Sequence, residues 1–126
     1  MPLVRIDVPT GTTADHRARI AEVVYRALVD VAGAPEHDRF VVVSEHAAEN
    51  LLIDPHYFVD RTDRALIVQI TLNGGRTLEI KKALYRAIAD GLHDAVALRT
   101  EDVMISLVEV PKENWSFGGG VAQYAE

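Results

Sequence analysis

No cysteine occurs among the 126 residues. Disulfide frameworks, thiolate metal sites and cysteine nucleophiles are thereby excluded. Basic residues are outnumbered, with 13 Lys and Arg against 19 Asp and Glu and a formal net charge of −6. Without a basic run the chain lacks the electrostatic footprint of a nucleic-acid or anionic-membrane binder, so neither partner is expected. No apolar run approaches the roughly 18 residues that a membrane helix needs. The start, MPLVRIDVPTG, has neither the basic nor the apolar region of a secretory signal. A cytoplasmic protein is expected. Low-complexity stretches and linkers are also missing. At 48% hydrophobic residues, a chain of this length can bury a real core as one domain over 1–126.

What is present is a repeat. Leu3–Val8 reads as a strand. Thr12 and Asp15 have capping-box spacing before a helical face at Ile20, Val24, Ala27, Leu28 and Val31. Gly33 and Pro35 end that helix, and Phe40–Val43 reads as a second strand. The pattern returns with a strand at Leu66–Leu72, a turn at Asn73-Gly74-Gly75, a helical face at Ile80, Leu84, Ile88, Leu92 and Ala95, and a strand at Val103–Val110. The copies align without a gap at an offset of 64: Val4 on Val68, Gly11 on Gly75, Thr13 on Thr77, Leu28 on Leu92, Asp38 on Asp102 and Glu45 on Glu109. The reading is a duplicated β-α-β unit, with repeats at about 2–46 and 65–110. Each helix can join two parallel strands. An α/β (α+β) fold follows, a four-stranded sheet with two helices on one face. The strands read as almost continuously apolar, which predicts a second sheet face covered by other copies of the chain.

Four features carry chemistry. Removal of Met1 would leave Pro2 with a secondary amine. A free α-amine titrates at about 8, and an apolar pocket lowers that value by disfavouring the cation. Such a group is a base near neutral pH; equally, a Pro after Met is commonplace. Arg76, in Asn73-Gly74-Gly75-Arg76-Thr77, lies between a strand and a helix and offers a planar fork to a carboxylate. It also reads as a solvated arginine on a simple turn. Asp38 stands at the entry to a strand beside His37 and Arg39, as a site residue, a turn residue or half of a surface ion pair. Aromatics make up only 6% of the chain, so Trp115 and Phe117, two apart, suggest a pocket wall or a subunit contact, and equally a satellite core cluster. The five histidines show no metal-site spacing, and no metal or cofactor is expected.

Together these features resemble the tautomerase superfamily. Pro directly follows Met, a β-α-β unit is duplicated, and a Gly-Arg-Thr turn opens the second helix. The stretch Asp60-Arg61-Thr62-Asp63 through Ile67–Thr77 to Lys81-Lys82-Ala83-Leu84-Tyr85 is similar to the longer single-chain members. Pro35…Asp38-Arg39-Phe40 and Trp115-Ser116-Phe117-Gly118 resemble the malonate semialdehyde decarboxylase branch. The resemblance implies a homotrimer with Pro2 as the catalytic group, Arg76 on the substrate carboxylate and Asp38 on water. In that branch a second arginine stands two residues before the first; here the position is Gly74. Arg39, Arg61 and Arg64 are candidates for a replacement cation.

Three functions follow. The first is an enol–keto tautomerase of a small 2-hydroxy enol or 2-keto acid, with Pro2 as base and acid. The second is a decarboxylase or hydratase of a small 3-oxo or haloacrylate acid, using cationic Pro2 and Asp38. The third is a non-catalytic trimeric ligand-binding module.

Overall fold

The computed structural model describes residues 2–125; the expected loss of Met1 falls outside them. Strand β1 (Leu3–Pro9) leads to helix α1 (Ala14–Asp30) and strand β2 (Val41–His46), and strand β3 (Leu66–Asn73) to helix α2 (Leu78–Val96) and strand β4 (Val103–Val110). The sheet order is β2-β1-β3-β4, parallel within each repeat and antiparallel where β1 meets β3.

The register carries the duplication. Val4 pairs with Val41 and, 64 residues on, Val68 pairs with Ile105. Arg5 pairs with Gln69, its own counterpart, at the seam. Backbone hydrogen bonds repeat as well. Thr10 N–H donates to His46 O and Gly74 N–H to Val110 O; Asp38 N–H donates to Pro35 O and Asp102 N–H to Arg99 O. Gly11 and Gly75 occupy the two βα turns at φ +100 and +113, a region that a side chain would strain.

The core lies between the helices and one face of the sheet. Ile20, Val24 and Leu28 of α1 and Leu84, Ile88 and Leu92 of α2 close over Val4, Ile6, Val8, Val68, Ile70 and Leu72. Helix α1 is capped one residue later than the capping-box reading, by Thr13, and α2 is capped by its counterpart Thr77; their hydroxyls accept from His16 N–H and Ile80 N–H. Thr12 instead bonds back to Pro9 O at 2.8 Å.

The second face differs from the sequence reading. The central strands alternate, so Arg5, Asp7, Gln69 and Thr71 lie on that face, and Asp7 Oδ1 is 2.6 Å from His46 Nε2. Exposed apolar residues there belong to the edge strands: Val42, Met104 and Val108. Leu3 and Ile67 of the central strands share that face and are half-buried, so it is mixed rather than continuously apolar.

Among the described residues, no helix is long and apolar enough to cross a membrane. None of their His, Asp or Glu side chains form a group of three that could hold a metal.

Candidate active site

Pro2 is buried and immediately precedes β1. Leu3 pairs with Thr71 of β3, and Val4 N–H donates to Phe40 O at 2.9 Å. The sheet order therefore sets Pro2 between two segments: Asp38–Phe40, which enters β2, and Asn73–Arg76, which leaves β3. The parallel and antiparallel neighbours of β1 both deliver functional candidates to this end.

Arg76 is half-buried and held in place. Its Nε donates to Ala32 O at 2.8 Å and its Nη1 to Asn73 O at 3.0 Å. These bonds fix the guanidinium plane and leave Nη2 without a protein acceptor among the described residues. A carboxylate is the natural acceptor for such a fork. Asp38 is half-buried, with Oδ2 withdrawn from solvent. Its turn is fixed from behind. His37, at φ +68, donates its N–H to the Tyr25 hydroxyl at 2.9 Å, and Arg39 lies 3.9 Å over the Tyr25 ring.

Residues 115–124 fold back over the same end. Trp115 stacks on Phe117 with centroids 5.5 Å apart, Phe117 lies 6.1 Å from Phe40, and Tyr124 meets Phe117 edge-on at 5.4 Å. The indole Nε1 donates to Asn73 Oδ1 at 2.7 Å. Burial and the nearby Asp38 charge push the Tyr124 phenol above its ordinary pKa. Asn73 and Tyr124 had no motif to reveal them, because their placement depends on the chain returning from the last strand. The one available signal was the local excess of aromatics.

The larger cavity, about 530 Å³, lies at the opposite end, lined in part by Thr12, His16, Arg64, Leu66 and Leu98. It holds the counterparts of the candidate residues at an offset of 64: Leu66 for Pro2 and Thr12 for Arg76. Leu66 is mid-chain and has no amine to offer. A smaller pocket of about 300 Å³ lies at the Pro2 end, lined by Asn73, Gly74, Glu109, Val110, Pro111 and Lys112.

Sequence models described as tautomerase enzyme match residues 38–118 and residues 2–61. A Bacillus subtilis (strain 168) protein named "Probable tautomerase YusQ" is 36% identical over 127 residues, with all of both chains covered. The chain belongs to the tautomerase family. FG41 malonate semialdehyde decarboxylase, solved after inhibition by 3-bromopropiolate, is 32% identical with a TM-score of 0.90, covering 97% of this chain and 93% of that one. A fused 4-OT symmetric trimer shares the fold at a TM-score of 0.81 and 23% identity, covering 98% and 97%.

Within this tautomerase-family chain, the three candidate replacements for the arginine absent at Gly74 each have other partners among the described residues. Arg39 pairs with Glu22, Arg61 holds Asp54 O and Tyr57 O, and Arg64 holds Val96 O and Ala97 O at the far end. A side chain at Gly74 would instead meet Glu109 Oε2 at 3.4 Å. Glu109 is bound by Lys81 Nζ at 2.7 Å, which holds its carboxyl below the ordinary range. The turn therefore offers an incoming anion one guanidinium, not two.

Proposed function

We propose that the protein is a cofactor-independent tautomerase of a small 2-hydroxy enol or 2-keto carboxylic acid, acting as a homotrimer. Met1 is removed, and the Pro2 nitrogen is the general base and acid. Arg76 grips the substrate carboxylate, and Trp115 and Phe117 form the apolar wall. Neutral Pro2 takes the enol hydroxyl proton as the carbonyl forms, and a proton is returned to carbon. Orientation by one carboxylate anchor in an apolar pocket supplies the remaining advantage. The observation that carries this reading is the placement of buried Pro2 between the Asp38 and Arg76 segments. The trimer draws on the fold shared with the fused 4-OT symmetric trimer. The test is ketonisation of arylpyruvate enols and 2-hydroxydienoates by protein confirmed by mass to lack Met1. A rate no higher than that of Pro2→Ala would sink the proposal.

A second reading has its own support. Asp38 and the aromatic segment meet at the Pro2 end, and the 32% identical solved relative is a malonate semialdehyde decarboxylase. Here cationic Pro2 would polarise a 3-oxo or haloacrylate acid while Asp38 positions water. Lack of the second cation at Gly74 counts against it. An NMR titration of the Pro2 nitrogen separates the two. A pKa well below that of a free amine fits the base; an ordinary or raised one fits the cation, and carbon dioxide release abolished in Asp38→Asn would then establish the decarboxylase.

A further inference from the structure

One residue joins the guanidinium to the aromatic wall. The backbone carbonyl of Asn73 accepts from Arg76 Nη1 at 3.0 Å, and its side-chain Oδ1 accepts from Trp115 Nε1 at 2.7 Å. Other bonds of the returning segment are internal: Phe117 N–H donates to Gln123 Oε1, and Gln123 Nε2 donates to Gly118 O. The fold does not require an amide at this position. The counterpart 64 residues earlier is Pro9, which builds the same turn, and its carbonyl accepts from Thr12 as Asn73 O accepts from Arg76. The Asn73 side chain is thus free of the work of the turn.

We propose that Asn73 is a positioning residue that fastens the C-terminal aromatic segment to the Arg76 turn, making that segment a wall of the carboxylate pocket. This rests on the pocket of the proposed function, and it assigns to Asn73 the coupling of anchor to wall. A half-buried indole N–H that loses its acceptor bears part of a desolvation cost, so the segment should loosen when the amide is removed.

Trp115 is the chain's single tryptophan, so intrinsic emission reports this segment alone. In Asn73→Ala the emission should shift to longer wavelength. The Kd for phenylpyruvate, measured by calorimetry, should rise about tenfold, the size of one lost polar tie. With an enol substrate, KM should rise by a similar factor while kcat changes less than about threefold, the split expected when uniform binding is removed. Trp115→Phe keeps a ring but loses the donor; it should reproduce the rise, and the double variant should add little to it. Trp115→Phe also keeps the test usable should Asn73→Ala fail to fold. Unchanged emission in Asn73→Ala overturns the proposal, as does an emission shift with unchanged Kd, or additive effects in the double variant. Native protein that does not bind phenylpyruvate removes the carboxylate pocket and the proposal with it. Binding without turnover of any enol overturns the tautomerase reading alone and leaves Asn73 its role.

Discussion

The two ends of the sheet are built from the same parts and do different things. Each has a βα turn with a left-handed glycine, a helix capped by threonine, and an ion pair from the helix to the neighbouring parallel strand: Arg17–Glu45 at one end and Lys81–Glu109 at the other. Arg17 and Lys81 are counterparts at an offset of 64, as are the two glutamates. Four pairs of counterparts carry the contrast, three of them different in residue type and one an aspartate in both copies. Pro2 faces its counterpart Leu66, Arg76 faces Thr12, Asn73 faces Pro9, and Asp38 faces Asp102. At the far end Asp102 is 1% exposed and accepts from Thr62 N–H at 2.7 Å and from its hydroxyl at 2.5 Å, tying down the connection between the repeats. The same position thus holds a scaffold anchor in one copy and a candidate site residue in the other. Where a duplicated fold keeps its symmetry, packing dictates the residues. Where the symmetry breaks, either chain connectivity or chemistry has intervened, and the two can be told apart.

The sharpest break is Pro2 against Leu66. Pro2→Ala should lower kcat by about 10²–10⁴, the usual contribution of a positioned base, with little loss of stability. Leu66 is 2% exposed, and Leu66→Ala should do the opposite. It should cost about 2–5 kcal/mol by opening a cavity, while the folded protein keeps its kcat. Kinetics and denaturant unfolding on both variants check this. Loss of stability in Pro2→Ala with no change in rate would erase the functional distinction between the ends.

Arg76 against Thr12 comes next. Arg76→Ala should raise KM about 10–100-fold for a carboxylate substrate, since charge-assisted hydrogen bonds are worth roughly 1.5–3 kcal/mol. Lysine should restore this only in part, because it keeps the charge but not the fork. Thr12→Val loses one bond to Pro9 O and should leave KM unchanged. Steady-state kinetics on the three variants are sufficient.

Much of this contrast was legible in the sequence, for a definite reason. Strand register follows the hydrophobic pattern, so an ungapped offset of 64 was enough to match Val4 with Val68 and the elements of one repeat with those of the other; the antiparallel pairing of β1 with β3 in the folded chain then brings the ends that carry Pro2, Asp38 and Arg76 together. Three things were not legible. The mixed face of the sheet was hidden because Arg5, Asp7 and Gln69 alternate with strongly apolar residues that dominate a short window. Thr12 and Thr13 are adjacent; spacing to Asp15 favours Thr12, and it is the extended backbone at Thr13 that makes Thr13 the cap. The Asn73–Trp115 bond spans 42 residues, and no local rule reaches that far.

Asp102 against Asp38 tests whether buried position or chemistry explains an aspartate. Asp102→Ala leaves the Thr62 N–H and hydroxyl without an acceptor and should cost about 1–3 kcal/mol, with kcat/KM of the folded enzyme within about twofold. Asp38→Asn should be close to neutral in stability and change the reaction profile: little for ketonisation, most for any decarboxylation. Hydrogen exchange at Thr62 N–H gives a local readout, because its protection should fall in Asp102→Ala and not in Asp38→Asn.

The smallest effect belongs to what the ends share. Arg17→Met and Lys81→Met each remove one partner of a partly exposed ion pair. Such pairs contribute little, and each variant should lower Tm by only about 1–3 °C. Lys81→Met should also carry a pH signature. Lys81 holds the Glu109 carboxyl below its ordinary value. The unfolded chain therefore takes up the Glu109 proton before the native state does as pH falls. The stabilisation is complete above the unfolded value of about 4.3, and it is lost as pH falls through the lower native value. The Tm gap between native protein and Lys81→Met should accordingly be constant from neutrality to weak acid and close in stronger acid. A gap that stays open there would mean that the lysine acts through its packed stem rather than its charge, and the matched ion pair would be a matched contact instead.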